Sequence, residues 1–400
     1  MGRDKNAGGI DDAIVDEWFE DEDEGAEEAN TPVVPTKKTV EEKYAESQLR
    51  VVRSTIDFSI YSLKQNFFDS NYINIAPEYQ RRHRWDRKKR SQLIESILMN
   101  IPIPPLFLFE NEYNKYEVMD GRQRLDTVVE FLENGFSLSG LEFWTELNGR
   151  RFKELSETLQ RGLMRRTLSA IVLLAETKTY VEEESDIRMI LFRRLNTGGV
   201  MLNPHELRNA LYPSPFAAML RDAARGKIFT SVWEIPEYAP DEKKKIPEKL
   251  LRNSLYKAMA DCELVLRFFA LREMMSENLR GSLRKLLDNS MKRHIKDSHD
   301  EVLILRKDFD ESLSILNDVF DGRPFRLEGG RLSRPLYDAL MVSINLHPQN
   351  DISKRSKVIK ESLTEALKDE DTYEILIGRG NTIDAIKERI NLATSILSEK

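Results

Sequence analysis

Cysteine is all but absent from this chain. Cys262 is the only one among 400 residues, which excludes an internal disulfide and fits a reducing compartment. Histidine is scarce as well: His83, His205, His294, His299 and His347 are scattered without zinc-finger spacing. No apolar run approaches the ~20 residues that a membrane-spanning helix requires. The N-terminus lacks a basic start followed by an apolar stretch, so no secretory signal is expected, and the expected location is cytoplasmic, away from membranes. What the chain does contain is charge, 32% of residues against 40% hydrophobic, the balance of a globular protein rich in exposed helix.

The net charge of -7 is unevenly distributed. Residues 1–45 hold 14 Asp/Glu and 5 Lys/Arg, a balance of -9, so the remainder is close to +2. Local clusters therefore say more about partners than the total does. The run Asp21-Glu22-Asp23-Glu24-Gly25-Ala26-Glu27-Glu28 repels itself and buries nothing, so residues 1–47 are expected to be a disordered acidic tail. Within it, Ile14, Val15, Trp18 and Phe19 fall at helical spacing. They belong either to a solvated tail or to a short amphipathic element that docks a partner or a basic groove of its own chain.

Residues 58–67 predict a helix and Tyr72–Ile75 a strand. Asp86 can cap a helix over 87–99, with Leu93, Ile94, Ile97 and Leu98 on one face, and Ile101-Pro102-Ile103-Pro104-Pro105 stops it. Strands are expected at Leu106–Phe109, Tyr116–Met119 and Leu168–Leu174, and helices at 122–133, 185–195 and, capped by Asn203, 204–211. Past Pro213 strand signals fade and helical periodicity dominates, as at 262–277, 309–320 and 382–398. Pro236, Pro240 and the charged run 241–245 suggest an exposed connection. The expected organisation is a mixed domain over 48–213, a linker over 214–246 and a helical domain over 247–400.

Three stretches carry chemistry. In Val118-Met119-Asp120-Gly121-Arg122-Gln123-Arg124 a strand ends, a glycine turns and a helix begins. Backbone N–H groups and the positive helix end then converge on one spot, a seat for phosphate. Gly121 would admit close approach, Arg122 and Arg124 could present guanidinium forks, and Asp120 could hold magnesium, bond a ribose or fix an arginine. The same corner occurs in many purely structural turns. The second stretch is Pro77-Glu78-Tyr79-Gln80-Arg81 with Trp85. From Arg81 to Arg90 there are seven Lys/Arg, one histidine and one acid. Aromatic rings among cations suit nucleotide or nucleic-acid contact, with Arg82, Arg84, Arg87, Lys88 and Lys89 as phosphate partners. A solvated helix start with Trp85 as packing anchor is the plainer account. The third is Phe192-Arg193-Arg194-Leu195-Asn196-Thr197-Gly198-Gly199, a glycine helix stop that also offers Asn196 and Thr197 to a ligand. Nearby, Glu206-Leu207-Arg208-Asn209 reads as a charged helix face.

In this order, Pro-x-Tyr-Gln-Arg-x-x-x-Trp, then Ser96 with Ile101-Pro102-Ile103-Pro104, then Asp-Gly-x-Gln-Arg, Arg-x-Asn-Thr-Gly-Gly and Glu-Leu-Arg-Asn resemble the N-terminal domain family of GmrSD-type modification-dependent restriction endonucleases. The resemblance covers roughly 50–212. It implies an α/β (α+β) chain: a ParB/sulfiredoxin-like N-terminal domain followed by an all-helical C-terminal domain. It also implies nucleoside triphosphate and Mg2+ as cofactors, DNA as a partner, and an HNH nuclease supplied by another protein. By position, Tyr79, Gln80, Arg81, Gly121, Arg122, Gln123, Arg124, Asn196 and Thr197 would contact the nucleotide. Asp120, Arg124 and Arg81 would act in hydrolysis, with Asp120 toward the metal. The family's DGQQR motif departs here, because Arg122 replaces the first glutamine and adds a charge. Sulfiredoxin chemistry is not expected, since Cys262 lies far from the motif region, and no nuclease signature surrounds the histidines, which read as surface residues. The expected function is thus a nucleotide-binding, perhaps hydrolysing, component of a bacterial restriction or anti-phage system. The competing expectation is a non-enzymatic DNA-binding module with an acidic autoinhibitory tail.

Overall fold

The computed structural model describes residues 12–20, 53–68, 73–74, 85–174, 203–240, 246–346, 352–378 and 380–398, with Ile10 and Glu242. The chain divides into two compact units, one spanning 36–202 and the other joining 1–35 to 203–400. The first helix, α1 (Asp12–Glu20), belongs to the second unit.

The first unit is mixed α+β. Its elements are β1 (Arg53–Ser59), α2 (Ile60–Phe68), β2 (Ile73–Asn74), α3 (Arg87–Leu98), β3 (Leu106–Glu112), β4 (Lys115–Asp120), α4 (Arg122–Leu132), α5 (Glu157–Met164) and β5 (Thr167–Leu173). The strands form one sheet in the order β1-β5-β3-β4-β2. β1 runs antiparallel to β5, β5 parallel to β3, β3 antiparallel to β4, and β4 parallel to β2. The expected helix at 58–67 is correct only from Ile60. Arg53–Ser59 pairs residue for residue with Thr167–Leu173, and a short alternating stretch such as Ile56-Asp57-Phe58 becomes a strand when such a partner is present.

Local chemistry explains the other boundaries. Asp86 caps α3 by accepting from the Lys89 amide at 2.7 Å. Asn100, with φ +60°, ends the turn before the prolines. Asn114, with φ +61°, closes the β3–β4 hairpin, a backbone region asparagine tolerates better than most residues. Leu93, Ile94, Ile97 and Leu98 of α3 and Leu125, Val128 and Leu132 of α4 pack on Leu106, Leu108, Val118 and Val172 of the sheet.

One polar side chain organises a long loop. Glu95 is buried on α3, and its carboxylate accepts from the amides of Glu142 (3.1 Å), Phe143 (2.9 Å) and Trp144 (2.8 Å). Burial alone would raise its pKa, but the three N–H groups outweigh this and hold it below the ordinary value.

The described elements of the second unit are helices, apart from an isolated bridge between Arg326 and Leu332. After α1 come α6 (Pro204–Leu211), α7 (Pro215–Ala223), α8 (Lys227–Val232), α9 (Glu248–Leu251), α10 (Ser254–Lys257) and α11 (Ala260–Glu277). They continue with α12 (Leu283–Arg293), α13 (His299–Val319), α14 (Arg334–Leu346), α15 (Ser356–Ala366), α16 (Glu370–Ile377) and α17 (Ile383–Ser398). α11 is buried on nearly every face, with Phe268 and Phe269 against Phe216 and Phe309. Arg267 and Asp338 pair at its centre, both fully buried.

Several expectations are corrected here. The proposed linker 214–246 is largely folded: α7 and α8 bury Phe216, Leu220, Phe229 and Trp233. Pro215 occupies the first turn of α7 behind the Ser214 cap, where proline starts a helix instead of ending one. The mixed unit ends at 202, not 213, and α6 packs with the helices. The tail is not wholly disordered, because α1 buries Val15 and Phe19. Trp18 meets Trp233 edge-on at 6.1 Å, and Arg334 donates to the Trp18 carbonyl at 2.7 Å while lying over its ring. The amphipathic element thus docks on its own chain, in an aromatic groove with a cation at the rim. His294 is no surface histidine: it is half-buried between Glu273 (2.9 Å) and Asp297 (2.5 Å), against the Phe216 ring. Burial opposes its charge, yet the two carboxylates hold its pKa above the ordinary value.

Two outcomes follow. Glu95→Gln should destabilise the first unit by roughly 1–3 kcal/mol, read by denaturant unfolding. Because the folded pKa of Glu95 is depressed, its contribution is present above the unfolded value of about 4.3 and is lost as pH falls through the folded one. The gap between wild type and Glu95→Gln should therefore close on acidification below pH ~4; a constant gap would contradict this. Phe19→Ala should undock α1 and expose residues 12–20 to limited proteolysis, with fragments identified by mass spectrometry.

Candidate functional site

The corner at Asp120 is built as the spacing suggested, but its charges are turned differently. β4 ends at Asp120, opposite Phe107 of β3, and α4 begins at Arg122. Gly121 between them is buried, with φ +94°. A Cβ there would lie 2.4 Å from Leu106 Cδ2, so glycine is required by both backbone and space. Gly121 has no side chain to cap α4, so the first-turn amides receive no acceptor from the capping position.

Arg124 was expected to reach toward a phosphate as a free fork. It is 9% exposed and serves as a brace: it donates to Asp120 Oδ2 at 2.7 Å, to the Pro105 carbonyl at 3.3 Å and to the Pro104 carbonyl. Burial lowers its pKa from the ordinary value, with Asp120 opposing that shift. The correction has a physical reason. A guanidinium one turn into a helix can fold back on the i−4 carboxylate, and the proline-bound carbonyls of the adjoining loop lack local amide partners. Arg122 likewise lies against Asp126, at 3.1 Å, instead of pointing away from the helix. The Asp120 side chain keeps 34% of its surface exposed. The Gln123 amide nitrogen is buried with no hydrogen-bond partner among the described residues, a donor left for an oxygen that approaches the corner.

The second cluster is described only from Trp85 onward; Tyr79, Gln80, Arg81, Arg82 and Arg84 lie outside the described residues, as do Asn196 and Thr197. Arg87 was expected to bind nucleic acid, but its guanidinium donates to the Ser137 carbonyl at 2.8 Å and to the Ser137 hydroxyl. Arg90 pairs with Glu130 at 2.6 Å and covers the Phe136 ring. Lys88 and Lys89 are exposed, and Lys89 Nζ stands 4.9 Å above the centre of the Trp85 ring. β2, which leads into Tyr79–Arg81, is parallel to β4 and so heads toward the end of the sheet that carries Asp120.

Glu206-Leu207-Arg208-Asn209 is not an exposed charged face. Glu206 and Asn203 form a reciprocal cap, each accepting from the other's amide at 3.0 Å or less. Arg208 is buried and bonds Asp288 at 2.8 Å, and Asn209 accepts from Arg221 at 3.3 Å. Its exposed appearance came from composition alone, whereas the buried neighbours come from α11 and α12.

For magnesium, the described residues contain no group of three or more potential side-chain ligands, so Asp120 would need phosphate oxygens to complete a coordination shell. For a nucleotide the corner fits better, because the uncapped first turn and the orphaned Gln123 donor both seek acceptors. No helix among the described residues is long and apolar enough to cross a membrane.

Residues 64–213 match the family model of the GmrSD restriction endonuclease N-terminal domain, which supports the resemblance carried by the motifs. The matched span runs past the unit boundary, so its last residues, from Asn203, lie among the helices. No curated protein and no solved structure matches the chain.

The brace and the glycine make distinct predictions about folding. Gly121→Ala combines a left-handed backbone with a clash against buried Leu106 and should cost about 1–3 kcal/mol. Arg124→Lys cannot span Asp120 and both carbonyls and should cost a similar amount, roughly 1–3 kcal/mol, by the same denaturant measurement.

Proposed function

We propose that the chain is a nucleoside-triphosphate-binding component of a bacterial DNA-restriction or anti-phage system, its first unit a ParB/sulfiredoxin-like domain, working with a nuclease supplied by another protein. The match over 64–213 supports the restriction context. The observation that carries nucleotide binding is the corner at Gly121, where an uncapped helix start and the orphaned Gln123 amide present donors together. The phosphates would sit against the amides of the first turn of α4 and the Gln123 side chain.

Arg124 positions this corner and does not itself supply charge to the phosphates. The guanidinium needed for that is assigned to Arg81, whose segment follows a strand directed toward Asp120. Tyr79 and Gln80 would take the base or ribose, and Asn196 and Thr197 the far side of the ligand. Mg2+, when bound with the nucleotide, would neutralise phosphate charge beside Asp120. The DNA-binding reading is retained because Lys88 and Lys89 are exposed beside Trp85.

Calorimetry with ATP, GTP, CTP and UTP in the presence of magnesium tests the nucleotide reading. One of them should bind wild type, and Arg81→Ala should weaken that binding at least about tenfold, the loss of ~1.4 kcal/mol. Absence of heat with all four would overturn the proposal.

A further inference from the structure

Phe143 is 64% exposed, yet it does not lie on a loose loop. Its amide, and those of Glu142 and Trp144, are held by the buried Glu95 carboxylate. Leu138 and Leu141 of the same loop are buried, and Trp144 packs on the core. The backbone is thus anchored inward at successive residues while one large apolar ring is directed outward. A single exposed ring needs no explanation in itself. Its surroundings give it one.

The loop lies along the outer face of α3. The Lys88 stem covers Gly140, where a Cβ would stand 2.9 Å from Lys88 Cγ, and Gln92 donates to Glu142 at 2.7 Å. Lys88 and Gln92 are one turn apart on α3, and Trp85 and Lys89 form the next stripe of the same surface. Of the four successive cations Arg87–Arg90, the two arginines are tied to Ser137 and Glu130. Lys88 and Lys89 point outward, and neither forms an ion pair among the described residues. A half-buried indole, an exposed phenyl ring and two available ammonium groups therefore share one face, with Gln92 between them.

We infer that this face binds single-stranded nucleic acid, or an unstacked base within a duplex, with a base stacked on Phe143 and the neighbouring phosphates paired to Lys88 and Lys89. Stacking on a rigid ring is tolerant of base identity, and mobile lysine stems follow a backbone without demanding one geometry. The inference deepens the DNA-contact reading and rests on it, and it is independent of nucleotide binding at Gly121.

Fluorescence anisotropy of the full chain with a labelled 20-nucleotide oligo-dT, and with a duplex of equal length, tests it. Wild type should prefer the single strand. Phe143→Ala should weaken binding about tenfold without changing the unfolding midpoint, and Phe143→Trp should restore it. Lys88→Ala with Lys89→Ala should flatten the dependence of log affinity on log salt by about one. If Phe143→Ala binds as wild type does while the lysine variant is weakened, the stacking role fails and the DNA-contact reading survives. If wild type binds neither probe, both fail, whatever calorimetry reports for nucleotides. If Phe143→Ala alters only self-association on size-exclusion chromatography, the face belongs to a protein partner and the inference is overturned.

Discussion

A single buried guanidinium sets the geometry on which the candidate site depends. Arg124 joins the end of β4 to the proline-rich loop through Asp120, Pro104 and Pro105. Removing one member of a buried charged group leaves the others uncompensated, so such a group behaves as a unit. The unit has two consequences. It keeps the first turn of α4 at a fixed distance from the loop, and it makes Asp120 and Arg124 nearly neutral together. An anion at this corner would be drawn by amides and by cations from elsewhere, which is why the function of the motif's last arginine is positional.

Glu95 applies the same device with opposite sign. A carboxylate buried on α3 collects three consecutive amides and so fixes the path of residues 142–144. α3 thereby has two roles, an apolar face for the core and an edge that holds a loop in register. The cations at its start divide accordingly. Arg87 and Arg90 are long, planar and multidentate, and they bind protein groups. The two lysines between them, compact charges on flexible stems, stay with solvent.

The helical unit shows how a motif can change meaning with context. Glu206, Arg208 and Asn209 are chemically suited to a ligand site, but they cap α6 and fill a buried ionic network with Asp288 and Arg221. The family match extends into this helix, so the similarity includes residues whose role is to hold the helices together. Helix α1 is held there too, by Trp233 and Arg334, far from its own place in sequence.

Much of the mixed unit was readable from neighbouring residues alone. The Asp86 and Asn203 caps, the proline stop after α3, the β3–β4 hairpin and the Gly121 corner all follow from contacts within a few positions, where spacing and side-chain type suffice. What the tertiary structure alone decided was which polar groups turn inward. β1 awaited β5, and Pro215 awaited the core that buries α7. The directions of Arg87, Arg124 and Glu95 awaited Ser137, the Pro104–Pro105 carbonyls and the 142–144 amides. The reason is desolvation: a long charged side chain enters the interior only where partners distant in sequence replace its water, and periodicity carries no record of those partners.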